Sequence, residues 1–352
     1  MSLRGAPYSG DAAISRTLIF IKYSHFNLNS SFVRLLRFFQ KLAMTMPFMQ
    51  KSEIRKDYLL NKYVIITPGR AKRPRDVKEE TIISRLADCP FCPEKINPKN
   101  ILDRIDAPEG EILSIGNIFP AVSLDNKNAY GAQEVIIETP DHKKELHNMS
   151  EAQIERLLRM YAKRTAAICK IKNIEYVLGF KNQGSKAGAS IVHAHSQIFA
   201  SSLLPPEIKE ELELARCYEA KHKTCAYCDI IKQEIKSPRK IHEDKFVAAF
   251  APYASQYHYE AWIFTKRHLD NITKLNDQEF KVFAQALKKI LLKLSELNLS
   301  FNYFLHQVIS DCHQHFYLKI QPRDSVWAGV ELGSGLVINS VAPEEAAKFY
   351  RV

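Results

Sequence analysis

The sequence predicts an α+β protein of two fused units, each an antiparallel sheet with packed helices and a Cys/His knuckle. Three observations carry that reading. A Cys-x-x-Cys pair occurs twice, at Cys89/Cys92 and at Cys225/Cys228. Matching segments follow, Glu134-Val-Ile-Ile-Glu-Thr-Pro-Asp-His142 and Glu260-Ala-Trp-Ile-Phe-Thr-Lys-Arg-His268, with glutamate, threonine and histidine at identical offsets. Each segment then precedes a long amphipathic pattern, a strand pattern and a second histidine-bearing strand. Two copies signal duplication and fusion rather than a solenoid. The expected division is a tail over 1–50, a catalytic unit over 51–204 and a second unit over 205–352.

The elements follow in order. Tyr63-Val-Ile-Ile-Thr67 reads as a strand turned by Pro68-Gly69, and Gln133 to Glu138 as a strand running into the His142 loop. Ser150 and Gln153 suggest a capping box opening a helix to about Lys172, with Ile154, Leu157, Leu158, Tyr161 and Ile168 on one face. Tyr176 to Phe180 is a strand, Asn182 to Ser190 a glycine-bearing loop, and the His193–Gln197 strand follows. Pro205-Pro206 starts a linking helix to about His222. In the second unit Asn276 caps a helix over about Asp277–Leu297. Strands at Phe301–Gln307 and His315–Ile320 complete the repeat.

At 352 residues, 46% hydrophobic and 25% charged, the composition is globular. No apolar run approaches the ~18 residues of a membrane span, so no membrane association is expected. The net charge is +11, but residues 1–50 hold six Lys/Arg against one Asp, leaving +6 spread over the body. Without a dense basic block, nucleic-acid binding is disfavoured and a phosphate-bearing metabolite suits better. Phe32 to Phe48 is amphipathic and basic, the pattern of a transit peptide or surface helix. The favoured reading is an extension ahead of a start near Met46 or Met49. Seven cysteines, four of them in Cys-x-x-Cys pairs, read as metal ligands in a reducing, cytoplasmic setting rather than as disulfides.

The most informative stretch is His193-Ala-His195-Ser-Gln197. Alternate residues of a strand share a face, so the three side chains should enter one pocket. Cys89, Cys92 and His142 with one histidine of the pair make a tetrahedral zinc site; if His193 closes it, His195 is left as a free imidazole suited to attack on phosphorus. Such an imidazole attacks when neutral, with one nitrogen exposed and the other N–H held, a backbone carbonyl being the expected holder. Gln197 cannot act as a general acid but can donate to a phosphoryl oxygen. The second set, Cys225, Cys228, His268 and either His313 or His315, is expected to hold a structural zinc. Aligning Gln197-Ile198 with Lys319-Ile320 favours His315 and sets Tyr317 opposite His195. The second unit then lacks a nucleophile.

At these residues the chain resembles the galactose-1-phosphate uridylyltransferases of the histidine-triad-like superfamily. The matching pieces are Arg70-Ala-Lys-Arg73-Pro74, Cys89-x-x-Cys92, Asn117-x-x-Pro120-Ala121, Thr139-Pro-Asp-His142, Phe180-Lys-Asn182-x-Gly184 and His193-Ala-His195-Ser-Gln197. They imply two histidine-triad-like units and ping-pong transfer of UMP from UDP-glucose to galactose 1-phosphate through a uridylyl-histidine. By the same resemblance Arg70, Arg73, Asn117, Asn182, Ser190 and Gln197 hold the nucleotide and phosphates, Glu331 lies near the hexose, and the protein is a homodimer. Ala194 stands where the family usually has proline. Ala328 to Gly335 and the second Cys-x-x-Cys look closer to plant-type relatives acting on ADP-glucose. Two alternatives follow: an NDP-sugar phosphorylase using phosphate as acceptor, and a zinc-knuckle nucleic-acid-binding protein. The wide Cys-to-His spacings argue against the latter.

Overall fold

Alternating apolar strands and two capped amphipathic helices assemble into a single ten-stranded antiparallel sheet in the structure, a computed structural model that describes residues 52–68 and 89–352. Arg70, Arg73 and the expected tail over 1–50 lie outside the described residues. The first half supplies β3 (Ile101–Ile105), β4 (Ile112–Gly116), β5 (Gly131–Ile137), β6 (Tyr176–Gln183) and β7 (His195–Ser201). The second supplies β8 (Lys240–Glu243), β9 (Val247–Phe250), β10 (Ala261–Thr265), β11 (Phe301–His306) and β12 (Tyr317–Pro322). The order β3-β4-β5-β7-β6-β11-β12-β10-β9-β8 repeats one half-sheet in reverse about the β6–β11 seam. There Phe180 pairs with Phe304 and Gln183 with Phe301. The two predicted sheets are thus one continuous sheet, and β6 runs past its expected end at Phe180 because β11 pairs with it.

Helices α1 (Glu151–Ile168) and α4 (Asp277–Glu296) pack side by side on one face. Ile154, Leu157, Leu158 and Tyr161 of α1 join Phe283, Leu287, Ile290 and Leu291 of α4 in one buried core. Asn276 caps α4 with a reciprocal box: its side chain accepts from Glu279 N–H, and Glu279 accepts from Asn276 N–H. The box expected at α1 differs. Ser150 Oγ accepts from Gln153 N–H, but Glu109 accepts Ser150 N–H, and the Gln153 amide donates to the carbonyl of Glu138. Gln153 is fully buried, so its side chain serves the strand end beneath it rather than the cap.

The opposite face distinguishes the halves. In the second half, Phe250, Trp262, Phe264 and Tyr317 fill it and pack under Tyr227, Ile230 and Ile231 of α3 (Ala226–Glu234). Helix α2 (Pro206–His222) lies beside α3 and contributes Ala215. In the first half the corresponding face packs Leu113, Ile115, Val135 and Ile137 under Cys89, Phe91 and Cys92, and among the described residues a cavity borders Ile115, Val135 and Gln197. A small sheet of β1 (Glu53–Lys56), β2 (Tyr63–Ile66) and β13 (Val337–Asn339) includes the parallel pair β2–β13. Its first strand packs on the second half: Arg55 donates to Tyr253 O and pairs with Glu344 of α6 (Pro343–Arg351). Helix α5 (Gly329–Ser334) precedes β13.

The register corrects one part of the repeat. Ile137 pairs with His195 and Phe264 with Tyr317, whereas Glu134 pairs with Ile198 and Ala261 with Ile320. Glu134 therefore corresponds to Ala261, not to Glu260. Thr139 and Thr265 do correspond, since their carbonyls accept from Nε2 of His193 and His315 at 2.8 and 2.7 Å. One extra residue, Glu138, separates strand from threonine in the first half. The ladders also begin at His195 and Tyr317, two residues later than predicted, because His193 and His315 turn toward the cysteines.

Candidate active site and metal centres

Cys89, Cys92, His142 and His193 converge, their ligand atoms all within 4.8 Å of one another. Nδ1 of His193 lies 3.6 and 3.7 Å from Sγ of Cys89 and Cys92, and Nδ1 of His142 lies 3.5 Å from Sγ of Cys92. Thiolate and imidazole ligands around a tetrahedral ion stand about 3.5 Å apart along the tetrahedron's edges, so these donors fit one. The His193 ring is aimed by its Nε2–H, which donates to Thr139 O and leaves Nδ1 for the ion. Cys225, Cys228, His268 and His315 form the second set. His268 and His315 lie 3.6 and 3.7 Å from Cys228. His313 takes no part: its Nδ1 pairs with Glu219 at 2.8 Å.

His195 is buried at the start of β7, two residues from His193. Its Nδ1–H donates to the carbonyl of His193 at 2.8 Å, so a backbone carbonyl is the holder, and no residue among those described engages Nε2. Burial, then the Lys181 ammonium, hold the imidazole pKa down to about 4, favouring a neutral ring. Phe91, between the first cysteines, packs its ring 4.9 Å from His195. Its counterpart Tyr227 faces Tyr317, whose hydroxyl donates to Glu211.

Two cavities meet at His195. One, about 560 Å³, is mostly apolar, with Phe91, Ile115, Phe119 and Val135 on its walls and Asn117 and Gln197 at its polar points. The other, about 540 Å³, is polar and includes Glu145, Lys181, Asn182 and Lys186. Ser190 borders both. The Gln133 amide donates to Gln197 Oε1 at 3.2 Å, leaving the Gln197 nitrogen as its donating end. Asn117 Oδ1 accepts from Phe119 N–H and shapes the loop leaving β4. Asn182 accepts from Asn302 across the seam at 2.8 Å. Gly184 sits at φ +81°, where a Cβ would also strike Ser300, so glycine is required at that turn. Glu331 lies on α5, accepts Ala328 N–H and lines neither cavity.

Four residues of this site carry no metal or nucleophile signature in sequence: Phe91, Gln133, Glu138 and Lys181. Lys181 was visible as a charge inside an apolar strand pattern. Its Nζ lies 2.8 Å from Glu138 Oε2, and both side chains are at most 1% exposed. No helix among the described residues is long and apolar enough to cross a membrane.

The comparisons with known proteins agree along most of the chain. The model of the family "Galactose-1-phosphate uridyl transferase, N-terminal domain" matches residues 113–205. An ADP-glucose phosphorylase of Arabidopsis thaliana is 31% identical over 330 residues, covering 86% of this chain and 93% of the relative. A galactose-1-phosphate uridylyltransferase of Thermotoga maritima is 28% identical, covering 85% and 98%. Among solved structures, the Arabidopsis thaliana ADP-glucose phosphorylase with bound ADP-glucose superposes with TM-score 0.75 at 31% identity, covering 86% of this chain and 99% of that one. A uridylyltransferase structure gives TM-score 0.67 at 27% identity, with 86% and 97% covered. At this identity and coverage, the chain belongs to the galactose-1-phosphate uridylyltransferase family.

Proposed function

We propose that the protein is a nucleotidyltransferase that moves UMP from UDP-glucose to galactose 1-phosphate through a covalent intermediate on His195. The observation that carries this reading is the His195 ring: Nδ1–H tied to His193 O, Nε2 unengaged by any described residue, and two cavities that meet at it. The Nε2 lone pair attacks the α-phosphorus, an N–P bond forms, and the bond to the bridging oxygen breaks with glucose 1-phosphate leaving. The galactose 1-phosphate oxygen then attacks the same phosphorus and Nε2 is released. A sugar phosphate leaves as an anion without a general acid, which is why an amide at Gln197 suffices to donate to the phosphoryl oxygen. The apolar cavity suits the nucleoside, held beside Asn117 and Ser190. The polar one suits the sugar phosphate near Asn182. By the resemblance Arg70 and Arg73 are assigned further phosphate contacts; Glu331, which lines neither cavity, is given no part in this reading.

A second reading has a specific observation in its favour. The relative at 31% identity carries the name ADP-glucose phosphorylase. With inorganic phosphate as acceptor and ADP-glucose as donor, the same bonds form and break and ADP is the product. Acceptor assays with galactose 1-phosphate against phosphate, on UDP- and ADP-glucose, separate the two.

Both Cys/His sets are assigned zinc, two ions per chain, because paired thiolates with imidazoles favour it over harder ions. Zinc supplies a fixed anchor for the strand that carries His195. The decisive experiment is trapping from α-labelled UDP-glucose or ADP-glucose. Wild type should retain acid-labile, base-stable label and His195→Asn none. Equal labelling of both sinks the assignment.

A further inference from the structure

The duplication offers an internal control for what the catalytic half has added. The extra residue Glu138 is one difference. Lys181 is another. Phe180 pairs with Gln197 and Phe304 with Lys319, so the next residues, Lys181 and Leu305, occupy equivalent positions. The half with an imidazole at the end of its strand has a buried Lys/Glu pair beneath it. The half with Tyr317 there has leucine and no inserted glutamate.

The Lys181 ammonium and the Glu138 N–H both lead to the strand end that carries His195. Lys181 Nζ donates to the carbonyl of His195 at 3.0 Å and pairs with Glu138. Glu138 N–H donates to Ala194 O. His195 Nδ1–H donates to His193 O. Every carbonyl of His193-Ala194-His195 is therefore occupied, two of the three by the inserted residue or its partner. Glu138 is held in turn by Gln153 from α1, which donates to its carbonyl at 2.9 Å. Lys181 borders the polar cavity but is 1% exposed, too covered to serve as a substrate contact. A buried ion pair is also weak evidence of a stabilising role, since apolar replacements of such pairs are often neutral.

We propose that Lys181 and Glu138 are positioning residues for nucleotidyl transfer: Lys181 fixes the His195 carbonyl, and Glu138 fixes Lys181 and the Ala194 carbonyl. This rests on His195 being the nucleophile. The pair supplies a rigidity that Ala194, which leaves φ unrestricted, does not. Freed from it, the imidazole keeps its Nδ1 hydrogen bond but loses its fixed height over the cavities, and displacement of about 1 Å costs on the order of 100-fold in rate.

The test compares Lys181→Met, Glu138→Gln and the double variant in the full chain with its metal. Three quantities are read: the single-turnover rate of label incorporation on His195, the donor dissociation constant and the unfolding midpoint. Lys181→Met should slow incorporation about 30- to 100-fold with donor affinity within about twofold of wild type. Glu138→Gln, which keeps the lysine on the carbonyl, should stay within about fivefold. The double variant separates positioning from stability. It removes the orphaned carboxylate, so its midpoint should recover toward wild type while incorporation stays as slow as in Lys181→Met. Recovery of rate together with midpoint, or near-wild-type incorporation by Lys181→Met, overturns the proposal. So does failure of all three variants to fold. Label retained on His195→Asn would instead sink the functional reading itself.

Discussion

Nδ1–H of His195 donates to the carbonyl of His193, while Nδ1 of His193 faces Sγ of Cys89 and Cys92. One backbone carbonyl thus joins the Cys/His set proposed to hold zinc to the orientation of the proposed nucleophile. The two histidines share a strand end but should fail in different ways.

Replacing His195 by Asn should abolish transfer with metal content and unfolding midpoint near wild type. His193→Asn should lose metal, stability and activity together, because it removes a ligand. Metal analysis and thermal unfolding of the two purified variants check this. Full metal retention in His193→Asn contradicts the ligand assignment.

The two metal sets should differ in their effect on turnover. Cys89→Ser should lower activity by about 10- to 100-fold, since that set anchors His193 beside His195. Cys225→Ser should destabilise the second half with a smaller effect on turnover of the folded fraction, because Tyr317 stands where His195 stands in the first. Metal-to-protein ratio should be near two in wild type and near one in each variant.

Phe91 ties the first knuckle to the site through its ring 4.9 Å from His195 and its place in the apolar cavity wall. Phe91→Ala should raise donor KM about tenfold and lower kcat, with Phe91→Leu intermediate. Steady-state kinetics against donor concentration read both.

Glu109 gives α1 an acid-sensitive start. Burial opposes its ionisation, but the Lys144 ammonium at 2.6 Å and the Ser150 hydrogen bonds outweigh that, so its carboxyl sits below the ordinary glutamate value. The folded value is depressed, so this stabilisation is fully present above the ordinary glutamate value and is lost as pH falls from there through the lower folded value. Glu109→Gln should be less stable near neutral pH and lose less on acidification. Urea midpoints from pH 6 to pH 3 should converge for the two proteins. Parallel curves would contradict this.

Deleting residues 1–45 should leave folding and turnover nearly unchanged, since the segment precedes both repeats and carries none of their motifs. Unfolding midpoints and kcat of the truncated protein check it.

Much of the site could be read from spacing. A His-x-His strand, paired cysteines and a threonine–histidine echo are local patterns, and each reflects a ligand count or a two-residue period. The choice of His315 over His313 was reachable by aligning the repeats. The glutamate echo was not a true equivalence, because sequence offsets cannot reveal one inserted residue when strand pairing absorbs it. Phe91 and Gln133 were missed for a related reason: an aromatic or amide in a strand or knuckle has no signature until its neighbour across the sheet is known.

The sequence by itself indicated the α+β duplication, the two Cys/His sets apart from the choice between His313 and His315, the N-caps Ser150 and Asn276 and the His-x-His strand. These follow from short-range periodicity and from the donor chemistry of cysteine and histidine. The tertiary structure alone decided that two sheets are one, that aromatic residues fill the outer face of one half while a cavity borders the other, and that a lysine lies beneath the strand end that carries His195. Those outcomes depend on which strands pair across the β6–β11 seam. The residues at that seam lie more than a hundred positions apart in the chain, and no local pattern encodes their register.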